Sequence, residues 1–92
     1  MLFNMGQLVV TRGVNDLIGN NNKFAIHVHE SLERHSRADW GDLCEEDRDC
    51  NELALQNGDR LFSVYKLEGL PTIWIITEWD RSVTTVLFPD EY

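Results

Sequence analysis

The chain reads as an α+β protein: one N-terminal strand, two to three helices, then a three-stranded antiparallel meander, with the helices packed on one face of the sheet. Three observations predict this. Apolar residues recur at helical spacing through the middle of the chain, the period changes to two after Gly58, and three β-rich runs follow with only short breaks between them. Ninety-two residues, 42% of them apolar, make a single domain over 1–92 with enough core to fold and no composition of disorder.

Each element has a local cause. "LFNMGQLVV" is the first strand, interrupted by Gly6. Thr11 is placed to cap a short helix over Val14 to Ile18, which the Gly-Asn tract "GNNN" stops. "KFAIHVHESLERHS" follows, with Asn22 as its cap; Phe24, Val28, Leu32 and His35 fall within one arc of roughly 80° on a helical wheel. A strand at "FAIHVH" is the rival, but it is too brief to absorb the residues that follow. The third helix is expected from Asp39, with Asp42 three residues on as a carboxylate version of the capping box, to its stop at Gly58. On that helix Leu43, Asp47, Cys50 and Ala54 share the inward face, and Asp42, Glu45, Asp49 and Glu52 the outward one. The runs "RLFSVYKL", "TIWIITEW" and "SVTTVLF", broken by "EGLP" and "DR", form the meander.

The net charge of −8 is unevenly spread: +1 over residues 1–38, −6 over 39–60 and −3 over 61–92. Such a chain is repelled by nucleic acid and anionic membranes, so the expected partner is a basic protein surface. No apolar run reaches the length of a membrane span, and the N-terminal residues lack the pattern of a signal peptide; the expected location is cytoplasmic. Cys44 and Cys50, six residues apart on one helix, point to different sides and are expected to stay reduced.

Several residues are candidates for chemistry. His35, in line with an apolar stripe, is expected to be a core histidine; its sharper reading is a metal ligand or proton carrier beside Asp39. His27, His29 and His35 diverge on a helix, and only a strand would bring His27 and His29 to one face; a zinc site built from His35 with Asp39, Asp47 or a cysteine stays open. No cofactor is otherwise predicted. Asp47 on an inward face needs a partner, and a buried polar network of His35, Asp47, Asn51 and Arg81 would supply one. Trp40 either staples the core or anchors a partner. The acidic row, with Glu46 beside it, is ordinarily a solvated face; its carboxylates lie about 5 Å apart along the helix, which is not far from phosphate spacing. Glu78, Asp80 and Arg81 in "TEWDRS" read as a salt-bridged turn, and no nucleophile or phosphate loop accompanies them.

The pattern also resembles a family. "GDL" after a tryptophan, then "ED", "N", "AL", "G-x-R-L-x-S-x-Y" and "WIITE-x-DRS-x-TT-x-L-x-P-x-EY" are similar to small "plasmid-related" proteins of bacterial plasmids, integrative elements and phages. The similarity spans nearly the whole chain, from Phe3, Gly6 and Gln7 to Glu91 and Tyr92. The chain departs from it in "IHVHE" and at Cys50, so a metal reading of those residues is not implied by the family.

That resemblance implies a mobile-element setting, where small acidic proteins blunt host defences. With the acidic helix, it makes the leading expectation an anti-CRISPR or antirestriction type of inhibitor. Asp39, Trp40, Asp42, Glu45, Glu46, Asp49 and Glu52 would then meet the basic surface of a CRISPR effector or restriction complex. Two other classes compete: a metal-dependent or catalytic protein using His35, Asp39, Asp47 and Glu78, and a homodimeric accessory domain.

Overall fold

The computed structural model describes residues 2–92. The elements run β1 (Gln7–Val10), α1 (Arg12–Asn20), α2 (Asn22–Ser36), α3 (Glu45–Asn57), β2 (Leu61–Tyr65), β3 (Ile73–Thr77), β4 (Val83–Leu87) and a 3-10 turn at Pro89–Glu91. The α+β class, the N-terminal strand, the three helices and the late strands are as the sequence predicts.

Helix starts follow side-chain capping. Thr11 Oγ1 accepts from the Val14 N–H at 3.4 Å, and Asn21 Oδ1, one residue earlier than expected, accepts from the Phe24 N–H at 3.0 Å. Both satisfy an amide donor that the helix itself leaves unpaired. α2 buries Phe24, His27, Val28, Ser31 and His35, a stripe at three- and four-residue steps. It ends in a Schellman turn: the Ala38 N–H donates to His35 O (3.1 Å) and the Asp39 N–H to Arg34 O (2.9 Å), with Ala38 at φ 62°.

The sheet order is β1-β4-β3-β2. β2, β3 and β4 pair antiparallel as the predicted meander, but β1 joins β4 in parallel, so the sheet is mixed. β1 takes the β4 edge because at the other edge β2 has no free row to offer. Asn51 of α3 donates its side-chain amide to the Phe62 carbonyl and accepts from the Phe62 N–H (3.2 Å). The Val64 N–H donates to Trp40 O (3.3 Å), and the Val64 carbonyl accepts from the Asp42 N–H (2.7 Å). The Lys66 N–H donates to Asp42 Oδ2 at 2.8 Å. Only the β4 edge remains for β1.

Leu61, Ser63, Tyr65, Ile73, Ile75, Thr77, Thr84 and Val86 are all buried, on the face that carries the helices. Val14, Phe24 and Val28 pack there with Tyr65, Ile73, Ile75 and Val86. A second cluster of Trp40, Leu43, Ala54 and Leu61 fills the β2 end beneath α3. The opposite face is closed largely by aromatic edge contacts, Phe62 to Trp74 at 5.0 Å and Trp74 to Tyr92 at 5.6 Å between ring centroids. Among the described residues no helix is long and apolar enough to cross a membrane.

α3 does not begin beside Asp39. Gly41, at φ 73°, makes a parallel bridge to Val64 that ties this stretch of chain to the edge of β2, and helix forms only from Glu45. Cys44 stands at the cap position without a side-chain hydrogen bond.

Candidate functional site

Two places concentrate the predicted residues: the first turns of α3 and the space beneath His35. On α3 only Asn51 and Ala54 are buried. Every residue from Cys44 to Cys50 is exposed, because the helix meets the body only through its second half and its first turns stand clear of β2. This overturns the inward placement of Asp47 and Cys50. Asp47 lies one turn before Asn51, on the same side, but nothing is there to cover it.

The tip carries Glu45, Glu46, Asp47 and Asp49, and the three ion pairs among the described residues involve none of them. Arg48, between them, folds back to donate to Leu43 O (3.1 Å) and Gly41 O (2.8 Å). Acids in a first turn complement the positive end of the helix dipole, which partly offsets the missing cap. The other members of the acidic row are engaged. Asp42 precedes the helix and binds the Lys66 amide, and Glu52 Oε2 accepts from Trp40 Nε1 at 2.6 Å. Trp40 is 4% exposed, so it is a core residue and no partner anchor. Asp39 is held by Arg34 through two bonds of 2.8 and 3.2 Å and accepts from the Gly41 N–H. The Arg34 guanidinium holds the Asp39 carboxyl below the usual carboxylate range.

His35 is fully buried, with the rings of Phe3 and Trp40 set edge-on against it at 5.5 and 5.6 Å. Its partners are neither Asp47 nor Asn51 nor Arg81. Nδ1 lies 2.5 Å from Ser63 Oγ and Nε2 lies 2.9 Å from Thr77 Oγ1. Thr77 Oγ1 is 2.7 Å from Thr84 Oγ1, which donates to the Met5 carbonyl at 2.6 Å. A carbonyl can only accept, and each hydroxyl has one proton. Thr84 therefore spends its proton on Met5, Thr77 donates to Thr84, and His35 Nε2–H donates to Thr77. Nδ1 is left to accept from Ser63. The chain fixes the tautomer and ties α2 to β2, β3, β4 and the N-terminal segment at one point.

Burial, and secondarily the positive charge of Arg81, push the His35 pKa down to about 4. Arg81 itself, at φ 60°, donates to the carbonyls of Asp59, Glu78 and Ala54, so it fastens the end of α3 to the β3–β4 turn. The expected network of four residues thus divides: His35 pairs with hydroxyls, Asn51 with backbone, Arg81 with carbonyls, and Asp47 with solvent. Ser63, Thr77 and Thr84 escaped the sequence reading. Period-two alternation puts each small polar residue on an inward strand position, and that pattern was the available signal.

The metal and catalytic constellations do not assemble. Both ring nitrogens of His35 are occupied, Asp39 is turned to Arg34, and Asp47 is out on the α3 tip. No group of three or more His, Cys, Asp or Glu among the described residues is arranged to hold an ion. Cys44 and Cys50 are free thiols at the surface. A cleft of about 500 Å³ opens between α2 and the loop after β2, lined by Lys23, Glu30 and Arg34 of α2 and by Lys66 and Glu68 of the loop. His27 lines it; burial lowers its pKa against the weaker pull of the Tyr65 carbonyl and Glu30, and its Nε2 has no hydrogen-bond partner. Comparison with protein-family models, curated proteins and solved structures finds no match to this chain.

Proposed function

We propose that this protein is a mobile-element accessory inhibitor of the anti-CRISPR or antirestriction type, which docks the tip of α3 on the basic, nucleic-acid-contacting surface of a host nuclease complex. One observation supports the reading above others. Glu45, Glu46, Asp47 and Asp49 surround the free tip of α3, all exposed and outside every ion pair among the described residues. Their charge is therefore available to a partner rather than neutralised within the chain. Complementary charge of this kind raises encounter rates and selects basic surfaces. The binding surface is narrower than the sequence suggests, since Trp40 is buried and Asp39 is paired with Arg34.

The test is inhibition of purified CRISPR effector and restriction complexes by the wild-type chain and by a Glu45→Gln, Glu46→Gln, Asp47→Asn, Asp49→Asn variant. These side chains form no ion pair among the described residues and support the fold only through the helix dipole, by about 0.3–1 kcal/mol for each first-turn charge, so far-UV circular dichroism checks that α3 is kept in the variant. Inhibition by the wild type should weaken with salt and fall at least roughly tenfold in the variant, the loss expected when several rim charges are removed. Equal inhibition by the two proteins, or none by the wild type across the panel, rejects the proposal.

A further inference from the structure

We infer that β1 pairs antiparallel with β1 of a second copy of this chain, joining two sheets into one of eight strands. The two edges of the sheet differ. At β2 the outward groups of Phe62, Val64 and Lys66 are taken by Asn51, Trp40 and Asp42, so no strand can add there. At β1 nothing equivalent exists. The Gln7 N–H donates to Ser82 O and the Thr11 N–H to Val86 O. In an evenly spaced parallel ladder this assigns residues 7, 9 and 11 to β4 and turns the N–H and C=O of Leu8 and Val10 away from the sheet. No hydrogen bond among the described residues uses those four groups.

An exposed apolar edge strand is a template for pairing, and folded proteins blunt it with charge, proline, a bulge or a cover. β1 has none of these: Leu8 is 55% and Val10 38% exposed, and residues 2–11 contain no charged side chain. The occupant follows from charge and register. A chain of net charge −8 opposes a copy of itself over most of its surface, and β1, with no charged side chain in residues 2–11, is an edge where pairing sets no carboxylate within the joined strands. The row is also self-complementary. With a two-fold axis through Val9, Leu8 of each chain lies opposite Val10 of the other, and each such pair exchanges both of its N–H···O bonds. Leu8 and Val10 then cover each other on the helix side, beside the groove lined by Met5, Leu32, His29 and Glu33, whose carboxylate is already paired with Arg37. Both α3 helices remain free at the far ends of the joined sheet, so this inference does not depend on the proposed function.

Sedimentation equilibrium and amide hydrogen exchange test it. The wild type should sediment at twice 10.7 kDa, with the Leu8 and Val10 amides slow to exchange. Val10→Pro removes only an outward donor, because the Val10 N–H takes no part in the β1–β4 ladder. Leu8→Lys places a charge on the edge without touching a backbone bond. Each should raise the dimer dissociation constant by roughly tenfold to a hundredfold, the effect of losing two of four hydrogen bonds or burying a charge. A monomeric wild type, fast-exchanging Leu8 and Val10 amides in a dimer, or a dimer indifferent to both substitutions overturns the inference.

Discussion

Asn51 holds the backbone of Phe62 by both ends, its Nδ2 donating to the carbonyl and its Oδ1 accepting from the N–H at 3.2 Å. A side chain on a helix thereby imitates the strand that would otherwise extend the sheet. The same residue is one of only two on α3 that are buried.

Asn51→Ala leaves two backbone groups of β2 unpaired beneath α3. The expected cost is about 2 kcal/mol, the desolvation penalty of orphaned groups less what water recovers. The α3 amides should also exchange faster than those of α2, because the helix loses its principal polar tether. Urea denaturation and hydrogen exchange measure the two effects; an unchanged midpoint would show that Ala54 and Leu55 suffice to seat the helix.

Acid should destabilise the fold through His35. Its folded pKa of about 4 lies below the unfolded value of 6.5, so the unfolded chain binds the proton more readily. The stabilisation is complete above pH 6.5 and is lost as pH falls from there towards 4, by about 3 kcal/mol in all. His27 is also shifted down from 6.5 and adds loss of the same sign within the same window, while the lowered carboxyls of Asp39, Asp80 and Glu91 add theirs at lower pH. Urea midpoints between pH 7.5 and 4 give the slope, and the imidazole resonances assign it. A His35 ring that titrates near 6.5 in the folded protein contradicts the network.

Cys44 offers a gain in stability. Its backbone, at φ −67° and ψ 163°, almost repeats that of Thr11 at −68° and 164°, yet only Thr11 caps its helix. A thiol is a weak acceptor where a hydroxyl or carboxylate is a good one. Cys44→Ser or Cys44→Asp should stabilise the protein by about 1 kcal/mol, a rise in Tm of roughly 4–8 °C for a chain of this size. Thermal unfolding under reducing conditions checks it.

Two glycine substitutions should act in opposite directions. Gly41 sits at φ 73°, where an added Cβ would collide with the Val64 carbonyl and the Tyr65 ring. Gly41→Ala should cost at least about 3 kcal/mol, since both the backbone conformation and the bridge to β2 must yield. Gly19 lies in α1 with open space around its Cα, and Gly19→Ala should stabilise by about 0.5–1 kcal/mol. Calorimetry of the pair separates strain from helix propensity.

The legible parts of this protein are those whose cause lies within a few residues. Thr11 as a cap, the buried stripe of α2, the stop at Gly58 and the alternation of the late strands each depend on neighbours one to four positions apart. Of the free acids of α3, Glu45, Glu46 and Asp49 were legible too, because exposure of a charged first turn is a local outcome; Asp47 was not. The start of α3 was not, since Gly41 bridging to Val64 delays the helix, and a wheel drawn from Asp39 sends Asp47 and Cys50 inward.

The parallel pairing of β1 to β4, the sealing of β2 and the partners of His35 join residues remote in sequence. Thr84 meets Met5 across 79 positions, and His35 meets Thr77 across 42. Local chemistry chooses helix, strand and turn, because capping bonds and side-chain period act over single turns. Which edge receives β1, and which hydroxyls neutralise a buried imidazole, is settled only when closure brings distant polar groups together and leaves each of them one partner to take.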